Sequence, residues 1–217
     1  MQWTSTKLGA HRVDRVHTIG AMNWLAHSFL SEPDSEFRLG NLLADLVKRT
    51  ERPELPSSFL RGMHQHKVID AFTDSHPIVH RSRARIRGNY RHTRGILIDV
   101  FYDHFLSLAW DGYCPEPLDA FAAGVYADIR SRPAPLPGEA RLAADWMIHD
   151  DRLASYRTIA GIESALYRVS QRLSTRLGRP FALQESVGEL RDHFEPLRLD
   201  FAEFFPLLRA HVEQTAL

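Results

Sequence analysis

The sequence has little of what marks several common protein classes. It contains one cysteine, Cys114, in 217 residues. No internal disulfide can form, which fits a reducing compartment such as the cytoplasm. No stretch approaches the roughly 20 consecutive apolar residues of a membrane-spanning helix, and the first residues lack the apolar core of a signal peptide. Net charge is missing as well: 27 Lys+Arg balance 27 Asp+Glu. That balance gives no general reason to bind nucleic acid and leaves electrostatic partners to local patches. There is no internal repeat, low-complexity tract or sustained heptad. A cytoplasmic globular protein with neither a membrane nor a nucleic-acid partner is expected.

What is there is a chain long enough for one well-buried core, with 44% hydrophobic and 25% charged residues. Twelve histidines stand out. Residues 1–21 are polar and aperiodic and read as an N-terminal extension. From Met22, apolar residues recur at three- and four-residue spacing: Leu39, Leu42, Leu43, Leu46 and Val47, then Phe59, Leu60, Met63, Val68 and Phe72, then Ile96, Val100, Phe101, Phe105 and Leu108. Further stripes cover 117–130, 138–149, 151–177 and 186–213. These are helix periodicities, and no strand alternation persists. Corners are expected at Pro53 and Pro56, Ser75-His76-Pro77, Pro115 and Pro117, Arg132 to Gly138, and Gly178-Arg179-Pro180. The prediction is a single all-α domain over 22–217, an irregular bundle of about seven to nine helices.

Three predicted helices each carry two ligand-type residues four apart: Asn41 and Asp45, His66 and Asp70, Asp99 and Asp103. That spacing sets both members on one helix face, one turn apart. Asp99 and Asp103 lie among Ile98, Val100, Phe101 and Phe105, where a buried carboxylate is costly unless a cation or hydrogen bonds compensate. A shared metal would compensate several at once, and imidazole with carboxylate suits a divalent ion such as Mn, Fe or Zn. Each pair also has a plain reading as a solvated helix pair, a cap or a salt bridge. His27 is either a ligand or a satisfied core histidine. His104, next to Asp103, points about 100° away from it and suits a supporting role. Asp74 is either a ligand or the cap of the helix that follows.

Arg81, Arg83, Arg85, Arg87, Arg91 and Arg94 fall within 14 residues with no acid among them. They form either a solvated face or a dock for an acidic partner.

With these residues in view, the chain resembles the acyl carrier protein phosphodiesterase (holo-acyl-carrier-protein hydrolase) family, a divergent relative of HD-type metal phosphohydrolases. The resemblance is carried by Met22-Asn23-Trp24-Leu25-Ala26-His27, Gly40-Asn41-Leu42-Leu43-Ala44-Asp45, the run Gly62 to Asp74 (GMHQHKVIDAFTD), and Asp99-Val100-Phe101-Tyr102-Asp103-His104-Phe105-Leu106. It implies an HD-like helical fold and removal of 4′-phosphopantetheine from holo-acyl carrier protein, an acidic helical protein, with Mn2+ as the metal. On this reading Asp45 and His27 are catalytic, and His66, Asp70, Asp99 and Asp103 hold the metal. Asn41, Asp74 and His104 support or complete the site, and the six arginines dock the carrier. Two alternatives stay open: an HD-type phosphohydrolase of a nucleotide or other small phosphorylated metabolite, and a non-catalytic helical adaptor.

Overall fold

The computed structural model describes residues 23–215; the predicted extension, residues 1–21, lies outside them. Among the described residues there are α-helices and short 3-10 turns but no strand. The helices are α1 (Trp24–Phe29), α2 (Ser35–Leu43), α3 (Ser57–Ser75), α4 (Pro77–Arg85), α5 (Arg94–Leu108), α6 (Leu118–Ser131), α7 (Gly138–His149), α8 (Arg152–Ser155), α9 (Ile159–Leu177), α10 (Val187–Asp192) and α11 (Phe194–Thr215). The punctuation acts as expected. Pro77 opens α4 behind His76, whose Nδ1 accepts from the Ile78 N–H, so His76 and not Asp74 is the cap. Gly178 closes α9 in the left-handed region, φ 63°, where a side chain would be strained.

Two stripes predicted as continuous are interrupted. The 151–177 stretch splits into α8 and α9 because Thr158 caps α9, its hydroxyl accepting from Gly161 N–H at 3.0 Å. The 186–213 stretch breaks at His193, between α10 and α11.

Helix α5 is the axis of the core. From Ile96 to Ser107 every residue is buried, as befits a helix that is apolar nearly all round, and α1, α4, α9 and α11 pack around it. α2 and α3 form the most extensive helix pair. They approach to backbone contact because glycines face each other across the crossing. A Cβ on Gly40 would lie 2.0 Å from the Phe59 carbonyl oxygen, and one on Gly62 would lie 1.9 Å from the Phe37 carbonyl oxygen. This crossing sets Asn41, next to Gly40, against His66, one turn after Gly62.

Gly62→Ala is therefore expected to lower the unfolding free energy by about 1–3 kcal/mol or more, the cost of forcing atoms into a packed contact. Gly124→Ala, an exposed helical position with nothing within 4 Å, should be neutral or stabilising by about 0.5–1 kcal/mol. Equal midpoints for both variants in denaturant titration would show that the crossing has room to spare.

Candidate metal centre

Five of the predicted residues converge. His27 of α1 and His66 of α3 are almost fully buried, and their rings stack with centroids 4.2 Å apart. Asn41 of α2 orients both. Its amide nitrogen donates to the His27 carbonyl and to Ser31 Oγ, each at 2.9 Å, which leaves Asn41 Oδ1 to accept from His27 Nδ1–H at 2.7 Å. The Asn41 carbonyl accepts from His66 Nδ1–H at 2.8 Å. Fixing each Nδ1 as a donor leaves each Nε2 with its lone pair, the arrangement in which histidine binds a metal.

Both Nε2 atoms point at carboxylates. His27 Nε2 lies 3.3 Å from Asp70 Oδ1, and His66 Nε2 lies 3.2 Å from Asp70 Oδ2 and 3.3 Å from Asp45 Oδ2. Yet both Nε2 atoms are buried with no hydrogen-bond partner. Two orphaned ring nitrogens beside a shared carboxylate fit a divalent cation: ligand atoms of His27, His66 and Asp70 all lie within 4.8 Å of one another. Asp45 stands at the rim, its side chain 34% exposed.

Asp45 reaches this place by a route that its spacing from Asn41 did not show. α2 ends at Leu43, and Asp45 sits in the 3-10 turn Ala44–Leu46. The tighter turn breaks the expected common face, so Asn41 stays buried while Asp45 meets solvent. His66 and Asp70, both within α3, do share a face as predicted.

The remaining candidates divide. Asp99 is buried at 7% exposure and makes no hydrogen bond or ion pair among the described residues. Burial pushes its carboxyl well above the usual range; Arg83 opposes this, while Asp70, Asp74 and Asp103 reinforce it. Asp103 has another task. Its Oδ2 accepts from Leu25 N–H and its Oδ1 from Ala26 N–H, both at 2.9 Å, so it caps α1, whose own N-cap Asn23 makes no side-chain cap bond. The structure thus gives Asp103 a capping role in place of the predicted ligand role.

His104 donates from Nδ1 to the Tyr156 carbonyl at 2.6 Å and packs against Phe105 and Phe194; it is a core histidine rather than a site residue. Asp74 is exposed and paired with Arg83.

The arginine run is not the free basic face expected from sequence. Arg81 and Arg85 both bind Asp200 of α11, at 2.8 and 2.9 Å, and Arg81 also reaches Glu203. Asp200 is buried and accepts as well from Ser82 Oγ, at 2.8 Å. Arg83 is taken by Asp74. A buried carboxylate needs such partners, and Asp200, more than a hundred residues away, is invisible to a local reading. The side chains of Arg87, Arg91 and Arg94 have no ion pair among the described residues.

Around a cluster of two imidazoles and a carboxylate, this fold defines an all-α protein with a site of the kind that holds a divalent cation. A family model described as acyl carrier protein phosphodiesterase matches residues 22–208, and the chain belongs to that family. The acyl carrier protein phosphodiesterase of Salmonella dublin is 32% identical to it, and those of Salmonella agona (strain SL483) and Salmonella newport (strain SL254) are 31% identical. Each alignment spans 197 residues, 90% of this chain and 100% of the relative. No solved structure matches the chain.

Two outcomes follow from this geometry. Asp103→Ala leaves two N–H groups of α1 unsatisfied, and at about 1–3 kcal/mol per buried orphan it should cost about 2–6 kcal/mol in chemical denaturation. A variant as stable as the parent would remove the cap.

The second outcome concerns pH. Burial alone would depress His66, but the carboxylates of Asp45 and Asp70 beside its Nε2 outweigh it and raise the metal-free imidazole from 6.5 to about 10. Asp70 moves the opposite way: burial raises it, and His27 and His66 together hold it well below the usual carboxylate range. Because the folded state holds the His66 proton more tightly than the unfolded chain, this stabilisation is complete below about pH 6.5 and is lost as pH rises through about 10. Melting of the metal-free protein should therefore fall over that window, and His66→Gln should flatten the fall; parallel profiles for the two would contradict it.

Proposed function

We infer that the protein is a metal-dependent phosphodiesterase that removes 4′-phosphopantetheine from holo-acyl carrier protein and leaves the apo carrier. Family membership supports the substrate, and one observation carries the chemistry: the unpartnered Nε2 atoms of His27 and His66 converging on Asp70. The donor set is nitrogen and oxygen with no thiolate, which suits Mn2+ among other divalent ions; Mn2+ is the ion that the sequence resemblance favours. Such an ion would neutralise charge on the phosphoryl oxygens and lower the pKa of a water beside it.

The chain's own residues supply the rest. His27 and His66 hold the ion through Nε2, with each ring locked by Asn41. A ring with Nδ1 engaged and Nε2 committed has no nitrogen left to deliver a proton, so His27 is assigned to holding the metal rather than to the acid role. Asp45 faces His66 from the rim and is the carboxylate best placed to take the proton of the attacking water. Asp70 bridges both imidazoles, and Asp99, buried behind it without a hydrogen bond, is the reserve ligand.

Asp45 and Asp70 are 34% and 36% exposed, so the cluster is reached at the surface. That favours a protein presenting a slender arm over a small metabolite that needs enclosure. Cytoplasmic action on the carrier of fatty acid synthesis, and descent from an HD-type ancestor, are consistent with this reading.

Incubation of the Mn2+-supplemented protein with holo-acyl carrier protein should remove the phosphopantetheine mass from the carrier, read by intact mass spectrometry; a carrier of unchanged mass overturns the proposal. Asp45→Ala should lower turnover by about 10²–10⁴-fold, the range for a lost general base, with the helical circular dichroism of the parent retained. Full activity would dismiss Asp45 from this role.

A further inference from the structure

Three exposed cations stand close in sequence to the two rim carboxylates and make no ion pair among the described residues. Lys48 and Arg49 follow Asp45 by three and four residues, at the start of the 3-10 segment Arg49–Glu54. Lys67 follows His66 on α3, on the turn that ends in Asp70. The acids of the same region are mostly engaged. Glu51 folds back to accept from the Lys48 N–H at 2.7 Å, Glu32 pairs with Arg61 at 3.6 Å, and Asp74 is held by Arg83. Glu54 remains as the one exposed, unpaired acid of that 3-10 segment.

The Arg87–Arg91 stretch is placed differently. Its loop is tied to α10, with Glu189 accepting from the N–H groups of Arg87 and Gly88 at 3.0 and 2.7 Å, and α10 contributes nothing to the cluster. Lys48 and Arg49 follow Asp45 within one short turn, and Lys67 precedes Asp70 by one helical turn, so these cations share their backbone segments with the rim of the cluster.

We propose that Lys48, Arg49 and Lys67 form the surface on which the acidic carrier docks, in place of the arginine run. This rests on the carrier being the substrate and adds where it sits. Complementary charge brings the partners together and sets their orientation. The paired arginines Arg81, Arg83 and Arg85 have already satisfied their charge within the chain.

The test uses the full-length, Mn2+-loaded protein and apo-acyl carrier protein as the binding probe, so that binding is read without turnover. The triple variant Lys48→Glu, Arg49→Glu, Lys67→Glu should weaken Kd on the order of tenfold or more at low salt, with the gap narrowing at high salt as exposed charges are screened. On holo carrier the same variant should raise KM far more than it lowers kcat. Arg87→Glu with Arg91→Glu should leave Kd within about twofold, the scatter expected of charges outside the contact.

Unchanged binding by the triple variant, a larger loss in the Arg87 and Arg91 variant, or no measurable binding of apo carrier to the parent protein overturns the docking surface. Cleavage of holo carrier by the parent is scored separately. Its absence removes the proposed function, whereas cleavage that persists alongside charge-insensitive binding removes only the dock.

Discussion

The site depends on one residue, Asn41, which acts through its side chain on His27 and through its backbone carbonyl on His66. Its amide bonds the ring and carbonyl of His27, and its own carbonyl takes His66 Nδ1–H. One residue thereby fixes the tautomer of two imidazoles on two helices. Neither ring could keep an unpartnered Nε2 in the interior if its Nδ1 were free to swing, because a buried polar atom seeks any available partner. Asn41 can do this only because α2 and α3 touch backbone to backbone, and that approach requires the bare Cα of Gly40 and Gly62. The glycines permit the crossing, the crossing brings Asn41 against α3, and its amide and backbone carbonyl aim the two histidines.

Electrostatics at the cluster follow from this geometry. Two rings and two carboxylates share a few ångströms in a partly dry place. Without an ion the nearest balanced state is a protonated His66 among ionised acids, which is why the imidazole rises and Asp70 falls. A divalent ion held by His27, His66 and Asp70 would supply positive charge in place of that proton. Asp99, buried and without a hydrogen bond, is held in its high range mainly by that burial, with the charge of Asp70 adding to it and Arg83 opposing it.

Much of the fold was legible because helices advertise themselves locally. Three- and four-residue spacing located the stripes, and proline and glycine located the corners. The pairing of His66 with Asp70 was legible for the same reason, since both lie within one uninterrupted helix. What was not legible has two causes, one local and one tertiary. Asn41 and Asp45 fall on either side of a switch from α to 3-10 geometry that spacing does not reveal. Asp103 is matched by backbone donors 77 and 78 residues away, and Arg81 and Arg85 by an aspartate 119 and 115 residues away. Partners at such distance belong to tertiary structure, and composition within a window cannot name them.

The capping of α1 by Asp103 has a consequence for how the protein comes together. A six-residue helix is far below the length that holds itself in water, so α1 exists only once α5 has presented a carboxylate to its first turn. His27 rides on that helix. The N-terminal member of the cluster is therefore put in place by a residue in the middle of the chain, and a nascent polypeptide that has not yet enclosed α5 would hold His66 and Asp70 but not His27. The two imidazoles and the carboxylate of the triad thus come together only in the finished molecule and in no fragment that lacks α5.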